Sequence, residues 1–352
     1  MALDENATLE DVRDIAREKM KGVCGVFPVC DGSANRVCNQ RSYGKQVQFG
    51  GTGVGASFEN NFKALAKINL KMHLVGPDIE PDTTYTFFDK KLSMPAMGAS
   101  LTGVNSLGGE SVITEKDFCE AVVNGCKDAG TIGWRGHTYT YSIDDHAGID
   151  AIAQAGGWGV QIIKPLPQDL LLQYLKKAED AGCVALGTDI DGCGSINKSR
   201  YPVPLQRKTI DDIKELVSST SLPVIIKGVM CVEDALAIVE AGAAGLVVSN
   251  HGGRVLDHTP GTADVLPQIV DAVNGKIKIF ADGGIRTGYD VLKMLALGAE
   301  GVLLGRDVAR AAVGGGALGV KLQLDFLQKV LASAMKMTGC ATLQDISRNI
   351  LA

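Results

Sequence analysis

From about residue 94 onward, short apolar runs alternate with longer segments whose apolar residues recur at helical spacing. The runs are MPAMGAS (94–100), GTIGW (130–134), GWGVQII (157–163), CVALGTDI (183–190), LPVIIKG (222–228), AGLVVSN (244–250), KIKIFADG (276–283) and EGVLLG (300–305). Between them lie EKDFCEAVVNGCKDA, PQDLLLQYLKKAEDA, VEDALAIVEAGA and TGYDVLKMLALGA, several ending in the Gly-Ala pair expected where a helix stops just before a strand. Eight strands, each followed by a helix, predict an α/β fold of the (β/α)8 TIM barrel type. A doubly wound sheet competes, yet no strand is followed by a G-x-G-x-x-G turn that opens a helix. The early GGTGVG (50–55) has the composition of such a turn but no apolar strand before it, and reads as a loop. Residues 1–93 are expected to form an N-terminal extension of helices and loop packed on the barrel. Residues 94–352 then form the barrel itself, with a last helix over about 317–338 on its outside. No linker marks a second domain.

A chain of 352 residues fits one barrel with extensions. Its hydrophobic content of 45% and charged content of 21% allow a large core. Glycine is the outlier at 43 residues, concentrated in short motifs where turns are tight or backbone approaches a ligand. The net charge of −5 argues against a nucleic-acid partner, while leaving room for a local basic pocket. No apolar run approaches the ~18–20 residues that cross a bilayer. The first twenty residues read as an acidic-to-basic amphipathic helix, not as a signal peptide, so a cytoplasmic protein is expected. Nine cysteines, an odd number, suit reduced thiols. Cys24, Cys30 and Cys38 cluster in GVCGVFPVCDGSANRVC, where zinc or iron–sulfur ligation is conceivable. Their irregular spacing and the lack of an obvious fourth ligand favour plain thiols, and no metal site is expected.

In a barrel, chemistry gathers at the C-terminal ends of the strands. That rule singles out Ser100, Gly136 with His137, Gln161, Asp191, Lys227, His251 with Arg254, Asp282 with Gly283 and Gly284, and Gly305 with Arg306. In VVSNHGGR (247–254), His251 can take a proton near neutral pH, and Arg254 can grip a carboxylate through two parallel hydrogen bonds. FADGGIRTG (280–288) and, one unit later, LLGRDVA (303–309) expose backbone N–H groups at successive strand ends. With Arg286 and Arg306 beside them, they form the phosphate site that barrels frequently build after strands seven and eight. Lys227, closing the strand PVIIK, has three readings open at this point: Schiff-base nucleophile, charge stabiliser or snorkelling structural lysine.

Together, VIIKG, SNHGGR followed by LDHTPGT, ADGGIRTGYDVLKMLALGAEGVLLGR and the upstream FENNFKALAKINL resemble the FMN-dependent 2-hydroxy acid oxidase and dehydrogenase family, which includes glycolate and lactate oxidases. The resemblance is dense over roughly 222–310 and looser over 57–200. It implies FMN as cofactor, a small 2-hydroxy acid as substrate, an electron acceptor left unspecified, and a homo-oligomer, commonly a tetramer. Lys227 matches the lysine at the flavin N1/O2 edge that stabilises the anionic reduced ring. His251 matches the base, Arg254 the substrate-carboxylate clamp, and Asp191 the aspartate that supports the histidine. Asp282, Gly283, Gly284, Arg286, Gly305 and Arg306 match the ribityl-phosphate site. Gln161, Ala99, Ser100 and Ser249 fall among the flavin contacts.

The pattern departs from the family where substrate is held. The family's N-terminal tyrosine is missing from GVCGVFPVCDG, and Ile162, Ile163 and Lys164 follow Gln161 where another tyrosine is usual. The second strand ends in WRGHTYTY, so Arg135, His137, Tyr139 and Lys164 are candidates for a rebuilt substrate pocket. The segment after Asp191 is short and lacks the family's long lid-like loop. Two alternatives stand beside the main reading. One is a redox-neutral FMN barrel of the type 2 isopentenyl diphosphate isomerase kind, and the other a flavin-binding protein that no longer turns over.

Overall fold

The computed structural model describes residues 6–20, 51–195 and 200–352. All eight expected strands are present: β3 (Ala96–Leu101), β4 (Gly133–Arg135), β5 (Gly159–Ile163), β6 (Ala185–Asp189), β7 (Val224–Val229), β8 (Gly245–Val248), β9 (Lys278–Ala281) and β10 (Gly301–Leu304). They close into one parallel barrel in chain order, with β10 pairing back onto β3. Their near-continuous apolar sequences follow from burial on both faces, one toward the barrel axis and one toward the helices. Met97, Trp134, Val160, Ile162, Ala185, Ile225, Val247, Phe280 and Leu303 fill the inside. The alternate residues, such as Leu186, Ile226, Leu246 and Leu304, pack under the outer helices.

The N-terminal segment contains a feature that its sequence did not suggest. Two three-residue strands, β1 (Tyr85–Phe87) and β2 (Lys90–Leu92), form an antiparallel hairpin just before β3. Phe87 and Leu92 join the barrel's inner cluster, with Phe87 5.5 Å from Phe280 and 6.0 Å from Trp134 between ring centroids. The hairpin therefore plugs the N-terminal end of the barrel and leaves the opposite end for the site. Among the described residues of the extension, α1 (Leu9–Lys19) and α2 (Ala56–Ala66) are its helices, and residues 51–55 are the expected loop, now seen to lead into α2.

Six further helices cover the strands: α3 (Glu115–Asp128), α4 (Ala147–Gln154), α5 (Gln168–Asp180), α6 (Ile210–Ser218), α7 (Val232–Glu240) and α8 (Thr262–Val273). They are joined by α9 (Gly288–Ala296) and α10 (Arg306–Thr338). Several start on a threonine cap whose hydroxyl accepts from the third backbone N–H, as at Thr114, Thr209 and Thr287. The last helix is longer than its apolar period indicated. α10 begins immediately after β10 and runs 33 residues, broken at Gly315–Gly316, so the expected 317–338 helix is its second half. That half lies against α3, where Gly125 sits so close to Ala317 and Val320 that a Cβ would collide with both. Among the described residues, no helix is long and apolar enough to cross a membrane.

Candidate active site

The C-terminal ends of the strands surround one cavity. Its wall includes Ala99, Ser100, His137, Tyr139, Lys164, Lys227, His251, Arg254, Asp282, Gly283, Gly284, Arg286, Gly305 and Arg306. These positions are spread over 200 residues of chain, and barrel closure alone brings them together.

The centre is a turn of unusual backbone. His251, Gly252 and Gly253 all have positive φ, at 57°, 62° and 80°. Two glycines accept this freely, but a histidine there is strained by about 1–3 kcal/mol. Asn250 offsets the strain. Its Oδ1 accepts from Gly253 N at 3.1 Å and from Asn61 Nδ2 at 2.9 Å, and its Nδ2 donates to Asn61 Oδ1 and Thr259 Oγ1. The turn also needs glycine for space, since a Cβ on Gly253 would lie 2.4 Å from Phe58 N.

Behind the turn is a buried charge relay. His251 Nδ1 lies 3.0 and 3.1 Å from the two carboxylate oxygens of Asp191. Lys227 Nζ donates to Ser249 Oγ at 2.8 Å and pairs with Asp282 Oδ2 at 3.4 Å. Ser249 Oγ in turn donates to Asp282 Oδ2 and accepts from His251 N. Burial works against the imidazolium and holds the His251 pKa below the usual histidine value, although Asp191 pulls the other way. Burial also opposes the Asp191 anion, but His251 and Lys227 beside it outweigh that and keep the carboxyl low. Lys227 stays cationic because Asp282, Asp191 and Asp189 overcome its desolvation. A carboxylate only accepts, so Asp191 fixes the proton on Nδ1 and leaves the Nε2 lone pair available.

Across the turn, Arg254 lines the cavity, and among the described residues it has no carboxylate partner. The phosphate-type motifs lie on the other side. Gly283 and Gly284 have φ of 100° and 80°, and added side chains would strike Asn61. Asp290 caps α9 by accepting from the N–H groups of Arg286 and Thr287, both at 3.0 Å. The guanidiniums of Arg286 and Arg306 each sit on a ring from α2, 5.2 Å from Phe62 and 4.5 Å from Phe58. Arg306 Nη2 also donates to Gly252 O at 2.9 Å. This explains the FENNF stretch: its phenylalanines seat the arginines, Asn61 braces the His251 turn, and Asn60 donates to Thr259 O.

Four expected site residues do not stand on the wall. Arg135 is fully buried, with its guanidinium 4.8 Å from the Phe118 ring and Nη2 3.3 Å from Cys119 Sγ, on the α3 side of the barrel. Alternation gives the reason, since Trp134 takes the interior and sends Arg135 outward. Gln161 is turned outward likewise, between Val160 and Ile162, and donates to Gly136 O at 3.1 Å. The substrate contact expected of Arg135 and the flavin-ring contact expected of Gln161 are therefore not what this geometry provides. Ser249 lies beneath the wall inside the relay, and Asp191 lies behind His251. Arg135→Met should leave the KM for substrate within about twofold of the parent value. A KM raised tenfold in steady-state kinetics would return Arg135 to the pocket.

His137, Tyr139 and Lys164 do line the cavity. His137 is buried, stacked 5.3 Å from His146, with neither ring nitrogen hydrogen-bonded, and burial depresses its pKa well below the usual range. Tyr139 accepts from Asn105 Nδ2 and meets Tyr201 edge to face at 5.9 Å. Lys164 pairs with Asp189. The sequence alone assigned no role to Tyr201, Asp189 and Asp307. Asp307 lies 3.3 Å from Arg286 and 3.0 Å from Arg310, within the phosphate-type site itself. Ligand atoms of Asp189, Asp191 and His251 come within 4.8 Å of one another, a spacing a metal ion could use. The Lys164 ammonium already occupies Asp189, however. Cys24, Cys30 and Cys38 lie outside the described residues.

The chain matches the family model for FMN-dependent dehydrogenase over residues 44–203 and 204–352. It is 32% identical to glycolate oxidase 3 of Arabidopsis thaliana over 332 residues, covering 83% of this chain and 86% of that protein. A shorter match, 48% over 138 residues, is to the peroxisomal (S)-2-hydroxyacid oxidase GLO3 of the same plant, and covers 39% of this chain and 38% of the relative. Among solved structures, mandelate oxidase aligns with a TM-score of 0.78 at 27% identity, over 98% of this chain and 97% of that one. A mandelate oxidase mutant with a C4a-OH-FMN adduct aligns with a TM-score of 0.75 at 29% identity, over 95% of this chain and 96% of that one.

Proposed function

Since the chain belongs to the family of FMN-dependent dehydrogenases, we propose that it oxidises a small 2-hydroxy acid to the 2-oxo acid, with His251 as base, Arg254 as carboxylate clamp and Lys227 as the charge beside the flavin. The cofactor is FMN, and the residues present suit it. The left-handed Gly283–Gly284 turn, the α9 and α10 N-termini, Arg286 and Arg306 would hold the phosphate. Lys227 would place a buried cation at the ring. When bound, FMN supplies the two-electron acceptor.

Arg254 carries the reading, because a cavity-lining guanidinium with no anionic partner among the described residues suits an anionic ligand. A substrate carboxylate docked on it would bring the α-carbon toward His251, three residues back on the same turn. His251 Nε2 then accepts the hydroxyl proton as the α-carbon gives up its hydride equivalent. Asp191 stabilises the resulting imidazolium and keeps the ring from rotating.

The test is anaerobic addition of a panel of 2-hydroxy acids to the purified holoprotein, followed by visible absorbance. Bleaching of the flavin band by at least one member is expected, and an unbleached band across the panel sinks the proposal. Re-admitting air, or an artificial acceptor, then distinguishes an oxidase from a dehydrogenase. The pH dependence has a definite sign. Burial lowers the His251 pKa, so the neutral base persists into mild acid. Flavin reduction should rise with pH to a plateau already reached at neutrality. A rate still climbing between pH 7 and 8 contradicts this assignment.

A further inference from the structure

Two carboxylates face His251, although one suffices to orient an imidazole. Asp191 makes the 3.0 Å contact to Nδ1, and Asp189 Oδ2 lies 3.9 Å from the same nitrogen. That Asp189 oxygen is also the one bound by Lys164 Nζ. The other, Oδ1, is buried without a hydrogen-bond partner, so the lysine is what holds this carboxylate. Lys164 directly follows β5 and Asp189 ends β6, the neighbouring strand, so barrel register sets them side by side. Gly192 closes over the pair, since a Cβ there would lie 3.1 Å from Lys164 Cδ and 3.2 Å from Asp189 Oδ1.

We propose that Lys164 is a positioning residue: by binding Asp189 Oδ2 it keeps that carboxylate from sharing the Nδ1 proton, so that Asp191 alone orients His251. The inference rests on His251 being the base. Around the imidazole stand Asp189 at the end of β6, Asp191 in the 3-10 turn after it, Lys164 just after β5, and Lys227 on β7 with its partner Asp282 just after β9; Arg254 and Tyr201 line the same cavity. Lys164 offsets Asp189 and Lys227 offsets Asp282, which leaves Asp191 as the carboxylate matched to the histidine. Without Lys164, two anions would bear on one imidazole. The ring would then hold a proton that a base has to be without.

The experiment follows His251 directly by NMR titration of FMN-loaded enzyme carrying 13C-labelled histidine, with H251N to assign the signal. In Lys164→Met, His251 is expected to bind its proton about tenfold more tightly than in the parent. In the Lys164→Met/Asp189→Asn double variant, affinity returns to within about threefold of the parent. An unchanged titration in Lys164→Met overturns the proposal. So does an increase that Asp189→Asn fails to reverse, because the lysine would then act without its partner. If Lys164→Met does not fold, Asp189→Asn alone decides: it leaves Lys164 unopposed and should weaken proton binding, and an unchanged value again overturns the idea. None of these readouts needs turnover. A protein that no 2-hydroxy acid reduces would therefore discard the assigned reaction, while the titration would still decide the role of Lys164.

Discussion

His251→Asn is expected to lower the rate of anaerobic flavin reduction by about 10²–10⁴-fold, the range a positioned general base contributes. Asparagine keeps a polar side chain on the strained turn but has no nitrogen able to accept a proton. The turn itself is held by Asn250 and by Ser249, neither of which depends on the imidazole ring. The variant should therefore fold and bind FMN as the parent does. Stopped-flow absorbance with saturating substrate separates the possibilities. A variant that retains full flavin content and loses reduction isolates the chemical step, whereas reduction within fivefold of the parent would remove His251 from the mechanism.

The second large effect belongs to cofactor retention. Arg306→Met should weaken FMN binding by about 10- to 100-fold, as expected when a charge-assisted contact worth roughly 1.5–3 kcal/mol is lost. Methionine preserves the apolar contact with Phe58, so the change isolates the guanidinium. Fluorescence titration of apoprotein with FMN and with riboflavin provides the internal control, since riboflavin has no phosphate. Riboflavin affinity should be the same in parent and variant. Equal losses for both ligands would mean that Arg306 supports the loop through Gly252 O and does not hold the phosphate.

The barrel was legible because its strands are buried on both faces, which makes each an uninterrupted apolar run that helices of a different period set off. The β1–β2 hairpin was not, because three-residue strands carry too few positions to establish alternation. TYTFFDKKL, with aromatic and β-branched residues on either side of a tight turn, is the trace it leaves. At the site, strand-end position was read correctly but strand parity was not. Arg135 ends β4 and Gln161 sits at the middle of β5, and both face the helices, because bulky Trp134 on β4, and Val160 and Ile162 on β5, claim the interior. The size of the residue beside each polar one held that information. Asp189 was given no role for the opposite reason. It is the inward residue that ends β6, whereas Asp191 reaches His251 only because the chain curls into a 3-10 turn after the strand.

The seating of Arg286 and Arg306 on Phe62 and Phe58 makes one amphipathic helix answer to two demands at once. One face of α2 is core, and its aromatic edges are the floor under the phosphate-type loops. Undocking the helix would remove the ring beneath each guanidinium and the Asn61–Asn250 brace together. A ligand that engages those arginines therefore stabilises the docked helix by mass action, in proportion to its affinity for that state alone. If the proposed phosphate site holds FMN, the flavin would in this sense be a folding ligand as well as a redox partner, and its departure would favour undocking of α2.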